Sequence, residues 1–97
     1  MYGLGKILVK GVDKMKLYKF KTTNCGVCGM LDKILEQVVE LPPVESIDCE
    51  AQPEVAAEYG VFQVPTLILV GETRKEMKRH TGFMAKPQLE SWVKVDD

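Results

Sequence analysis

No apolar run in this chain approaches the roughly 18 to 20 residues of a membrane-spanning helix, so no membrane association is expected. The opening stretch MYGLGKILVKG is too short and too often interrupted for the core of a signal peptide. Both absences predict a cytoplasmic protein, in a compartment that keeps thiols reduced. A charge of one sign is also missing. Thirteen Lys and Arg face fourteen Asp and Glu, for a formal net charge of −1. There is no electrostatic case for nucleic acid or an acidic membrane as partner. Lys14, Lys16, Lys19 and Lys21 form a basic stripe, read as the solvated face of a strand. Internal repeats, linkers and low-complexity tracts are absent. The 97 residues therefore suit one domain, spanning 1–97.

Cysteine is scarce and odd in number, with three in all. An odd count argues against a purely structural disulfide framework. Two of the three, Cys25 and Cys28, stand in the segment TTNCGVCGML, and a CxxC in a reducing compartment points to metal or catalysis.

Periodicity supplies the surroundings. Gly5–Lys10 has the β-branched character of a short strand, and Gly11–Lys14 reads as a turn. Lys16–Lys21 alternates lysine with apolar residues and predicts a strand. Thr22, Thr23 and Asn24 are N-cap types just before a helix that opens at Cys25. Its apolar stripe is Leu31, Ile34, Leu35, Val38 and Val39, and Pro42-Pro43 ends it. Val44–Asp48 is a strand candidate, and a short helix opens at Gln52-Pro53 and stops at Gly60. Thr66–Val70 is the most apolar run and suits a buried central strand. Lys75–His80 reads as an edge strand in a hairpin with it. A last helix from Lys86 to about Val95 buries Leu89, Trp92 and either Val93 or Val95. Helices between strands imply parallel crossovers, and the late strand pair implies a hairpin. The expected fold is α/β, with a mixed sheet of four or five strands and helices on its faces.

A cysteine at a helix start lies near unpaired amides and the positive end of the helix dipole, which favours thiolate over thiol. Cys28, close to one turn on, can reach the first sulfur to donate a hydrogen bond or close a disulfide. An activated sulfur beside a resolving one makes a dithiol redox couple. Gly26 relieves crowding in the tight ring. Other readings stand beside it. Cys25, Cys28, Cys49 and His80 supply four conventional zinc ligands in type, though from distant elements. An iron–sulfur cluster would need further thiolates, and a static disulfide needs an oxidising compartment. Taken singly, Cys49 reads as a small buried hydrophobe or a regulatory thiol, His80 as a surface residue and Trp92 as core.

Three pieces together resemble the thioredoxin superfamily: CGVC opening a helix at Cys25–Cys28, Val64-Pro65-Thr66 before a buried strand, and the hairpin and glycine of GETRKEMKRHTGF. The resemblance covers roughly Lys16 to Val95 and implies a thioredoxin-like three-layer sandwich with about three helices. With only 24 residues before Cys25, the family's first helix is expected to be reduced or absent. The resemblance implies a cis bond before Pro65, which shapes the site and keeps metal from the thiolates. It places Cys25, Cys28 and Pro65 as catalytic. It places Asn24, Gly26, Val27, Val64, Gly82 and Phe83 against substrate, with Met84 adding apolar contact. The chain departs from the family pattern too. Asn24 replaces a tryptophan, Val27 a proline and Lys33 a helix-kinking proline. Lys19 stands where the family buries an acid. Lys19 reads either as solvated or as an amine that favours the thiolates, and Glu45 is a candidate substitute acid.

The expectation is a thiol–disulfide oxidoreductase, a protein-disulfide reductase. It is monomeric, needs no cofactor or metal, and acts on disulfide-containing proteins with electrons from a thioredoxin-reductase-type donor. Glutaredoxin-like, glutathione-dependent chemistry competes, as does a binding or metal-carrying module on the same fold.

Overall fold

Strand β1 (Lys16–Lys21) is apolar on both faces, which only a central strand can afford. Leu17 points to one core layer and Tyr18 and Phe20 to the other. Strand β3 (Thr66–Val70) is buried along its whole length and divides the same way, with Leu67 and Leu69 on one side and Ile68 and Val70 on the other. The structure, a computed structural model, describes residues 15–94. The expected strand at 5–10, the turn at 11–14, the fate of a first helix and Val95 lie outside that range.

Two further strands complete the sheet: β2 (Val44–Asp48) and β4 (Glu76–Thr81). The order is β2-β1-β3-β4. β1 runs parallel to β2 and antiparallel to β3, and β3 and β4 form an antiparallel hairpin. The sheet is thus mixed and four-stranded among the described residues. Helices α1 (Gly26–Gln37) and α3 (Lys86–Trp92) cover the Leu17 face through Leu31, Leu35 and Leu89. Helix α2 (Pro53–Glu58) covers the opposite face through Ala56, with Tyr59 and Val61. Tyr18, Phe20 and Tyr59 meet edge to face there, with ring centroids 5.7 to 6.3 Å apart. The result is the expected three-layer α/β sandwich.

Helix α2 ends as its sequence suggests. Gly60 adopts φ +65°, and the Val61 and Gly60 amides donate to the Ala56 and Ala57 carbonyls. That is the paired C-terminal closure a left-handed glycine permits. Arg79 then reaches from the edge strand to the Tyr59 carbonyl while its guanidinium holds the Glu76 carboxylate.

Helix α1 stops earlier than the apolar stripe predicts. Val38 is already extended, with φ −89° and ψ 123°. Extended backbone sends successive side chains to opposite sides, so Val38 is buried while Val39 is 93% exposed. Pro42 and Pro43 therefore lead into β2 and do not terminate the helix, and the Pro43 carbonyl accepts from the Leu17 amide. The basic stripe also divides. Lys16 is exposed, Lys21 is partly buried and Lys19 is buried. Helix α3 is shorter than expected, Val93 is buried just beyond it, and Trp92 is only partly buried, with the Lys78 ammonium 5.3 Å from its ring centroid.

Two measurements follow. In urea denaturation, Leu31→Ala should cost about 2–5 kcal/mol, because it empties a fully buried site, whereas Val39→Ala should change stability by less than about 0.5 kcal/mol. The Arg79 hydrogen bonds hold the Glu76 carboxyl below its ordinary 4.5. Stability from this pair is present above that value and is lost as pH falls through the depressed one. Glu76→Gln should flatten the acid limb of the stability profile, by no more than about 1 kcal/mol for a half-exposed pair.

Candidate active site

Helix α1 begins one residue later than expected, and the difference matters chemically. Cys25 is the N-cap itself, extended at φ −120° and ψ 99°. Its carbonyl accepts the first helical hydrogen bond, from the Gly29 amide at 3.2 Å. Its sulfur accepts from the Cys28 amide at 3.1 Å. Sulfur thus occupies the place where Ser, Thr or Asp oxygen usually satisfies a free amide. The first turn carries no acidic residue, so no carboxylate competes for the positive end of the helix. Cys25 and Cys28 are joined in a disulfide, with Cα atoms 5.2 Å apart. Their environments differ: Cys25 is half-buried and Cys28 is 3% exposed. One sulfur is open to a partner and the other is shielded.

Strand register gathers the remaining candidates at the same end of the sheet. Phe20 at the end of β1 lies opposite Thr66 at the start of β3, and Thr66 lies opposite Thr81 at the end of β4. The loops holding Cys25, Pro65 and Gly82 therefore leave the sheet from one edge. The Val64–Pro65 bond is cis. The Pro65 carbonyl accepts from the Gly82 amide at 2.8 Å, and the Thr66 hydroxyl donates to the Gln63 carbonyl at 2.7 Å. Gly82 has φ +103°, a conformation that L side chains rarely adopt. On the β2 side, the Cys49 amide donates to the Lys21 carbonyl and the Thr23 hydroxyl to Glu50.

Asn24, Gly26, Val27 and Phe83 are exposed at this edge, Val64 is partly buried and Pro65 is buried. Two exposed apolar side chains not singled out in the sequence lie close by along the chain: Met30, one helical turn beyond Val27, and Phe62, which is 90% exposed. Phe62 lies two residues from Val64, and its position before the proline was the available signal. Met84 does not join them. It is fully buried against Leu17 and Leu89 and belongs to the core.

The expectation of a solvated Lys19 is corrected. It is 3% exposed, and its ammonium pairs with the Asp32 carboxylate on α1. Burial, then the neighbouring Lys21 charge, lowers its pKa. Glu45 is no substitute for a buried acid. It is exposed, pairs with Lys16 at 3.6 Å and sits beside Tyr18 on the far face. Cys49 is half-buried, and desolvation followed by the Asp48 charge raises its thiol pKa. The His80 ring nitrogen lies 3.3 Å from the Phe83 carbonyl. Cys25, Cys28, Cys49 and His80 do not converge. Among the described residues no group of three or more His, Cys, Asp or Glu is placed to hold a metal ion.

A CxxC at a helix start, a cis-proline before a buried strand and a glycine loop at one sheet edge define a thiol–disulfide oxidoreductase of thioredoxin type. The family model described as Thioredoxin matches residues 6–95, and the chain belongs to that family. It is 40% identical over 70 residues to the SPbeta prophage-derived thioredoxin-like protein YosR of Bacillus subtilis, covering 71% of this chain and 84% of that one. It is 32% identical over 83 residues to a thioredoxin of Alicyclobacillus acidocaldarius, covering 81% and 78%. In three dimensions it resembles a mutant thioredoxin of Halobacterium salinarum with a TM-score of 0.74 at 28% identity, covering 88% of this chain and 76% of that one.

An added Cβ at Gly82 would meet nothing within 4 Å. Gly82→Ala should therefore cost about 1–3 kcal/mol from backbone strain alone, read as a lower urea midpoint with an unchanged slope.

Proposed function

We propose that the protein reduces disulfides in protein substrates, with Cys25 as nucleophile and Cys28 as resolving thiol. The carrying observation is the asymmetry of the pair. Cys25 is partly exposed, with its sulfur accepting from a helix amide that has no other partner, and Cys28 is buried. In the reduced protein the Cys25 thiolate attacks one sulfur of a substrate disulfide. A Cys25–substrate disulfide forms, and the other substrate sulfur leaves as a thiolate that takes up a proton. Cys28 then loses its proton, and its sulfur attacks Cys25. The Cys25–Cys28 disulfide closes, and the second substrate sulfur leaves and is protonated. Two electrons have passed from the pair to the substrate; with Cys25 already a thiolate, one of the two protons taken up is the one Cys28 gives up and the other comes from solvent. A thioredoxin-reductase-type donor returns the electrons.

The surface around Cys25 suits an extended polypeptide. The sheet ladder begins at Thr66, so the peptide groups of Val64 lie outside it and are offered to a substrate strand. Asn24, Gly26 and Val27 line one side, and Gly82 and Phe83 the other. Pro65 carries no amide proton and closes the turn between them. A monomer in a reducing cytoplasm is the form in which this chemistry runs.

With dithiothreitol as electron source, the wild type should accelerate insulin reduction well above the reductant alone. Cys25→Ser should abolish the acceleration, and Cys28→Ser should accumulate a mixed disulfide visible by mass. A wild-type rate equal to that of the reductant alone would overturn the reading.

A further inference from the structure

Against the redox helix a buried lysine meets a partly exposed carboxylate, a charge pair that the disulfide chemistry above does not use. Lys19 lies in the middle of β1, flanked in register by Ser46 on β2 and Leu67 on β3, with His80 beyond Leu67 on β4. Leu67 belongs to the core layer under α1 and α3, so this row faces α1. The Lys19 ammonium meets the Asp32 carboxylate there. Asp32 follows Cys28 by four residues within α1, which places it on the same face of the helix, one turn further from the N-terminus. The pair therefore lies about one helical turn beyond Cys28 along α1.

Water screens the two charges unequally. Lys19 is 3% exposed, whereas the Asp32 side chain is 42% exposed. Water screens the carboxylate, while the ammonium acts through low-dielectric protein. Lys21, partly buried two residues on, adds a second positive charge from the same strand face. Burial and Lys21 both weaken the hold of Lys19 on its proton, and contact with Asp32 opposes them by favouring the charged amine. His80 on β4 faces the Phe83 carbonyl.

We propose that Lys19, kept charged by Asp32, is an electrostatic positioning residue that stabilises the reduced thiolate form of the Cys25–Cys28 couple and so makes it a stronger oxidant. The inference rests on the redox reading of that pair. A disulfide is neutral and a thiolate is negative, so a buried positive charge favours the reduced side of the equilibrium. Stabilising the reduced form raises the reduction potential. No bond to Lys19 forms or breaks.

Equilibrium with glutathione tests this directly. In Lys19→Met, which keeps the stem and removes the charge, the constant should move about three- to tenfold toward the disulfide, tenfold being about 30 mV for a two-electron couple. An unchanged constant, or a move toward the dithiol, overturns the inference while leaving the redox reading intact. A wild type that never exchanges with glutathione overturns that reading and this inference together. A second measurement needs no variant. If Lys19 favours the thiolate, the thiolate must favour protonated Lys19 by the same free energy. NMR titration of the Lys19 side chain should find a higher pKa in the reduced protein than in the oxidised one. Equal values in the two states, or a lower value on reduction, would contradict the inference even if Lys19→Met fails to fold.

Discussion

The contact from the Cys28 amide to the Cys25 sulfur does two jobs at once. It caps helix α1, satisfying a donor that the helix leaves unpaired. It also aims an amide dipole at the sulfur that the proposed mechanism uses as a thiolate. An oxygen side chain at the same position would cap as well but could not exchange disulfides. The absence of any acidic residue in the first turn belongs to the same design, because a carboxylate there would spend the helix dipole on itself.

The contact matters only because the sheet delivers partners to the same edge. Three strands end together: β1 at Lys21, β3 at its start and β4 at Thr81. A slip of β3 by one residue against β1 would turn Leu67 and Leu69 out of one core layer and Ile68 and Val70 out of the other. Burial on both faces therefore protects the site geometry. The Gly82 amide and the Pro65 carbonyl tie the two loops further. Most of the stabilising apolar surface lies below this edge, which leaves Val27 and Phe83 free at its rim.

Much of this was legible in the chain. Periodicity located β1, β3 and the helix after Cys25, and the family resemblance singled out CGVC, Val64-Pro65 and Gly82, whose loops leave the sheet at one edge. What escaped has physical causes. Val39 continued a helical apolar pattern, but the backbone turned extended at Val38, and local periodicity does not register that change. Met84 adjoined a predicted docking residue, yet the loop folds it inward while Phe83 stays out. Lys19 looked solvated because lysine is rarely buried without a partner. Its partner, Asp32, is on another element, and only the crossing of α1 over β1 brings them together. The spacing of four from Cys28 to Asp32 marked the shared helix face but not what lay beneath it. Phe62 stood outside any periodic apolar pattern, and only its place before the proline turn marked it.

Everything turns on whether the Cys25 sulfur is an accessible anion near neutral pH. The direct measurement is the rate of alkylation of the reduced protein by iodoacetamide across pH, with the modified residue located by mass. The account predicts that Cys25 is modified first and reaches half its limiting rate well below the ~8.5 of a free cysteine. A midpoint at or above that value, or modification of Cys28 before Cys25, would contradict it.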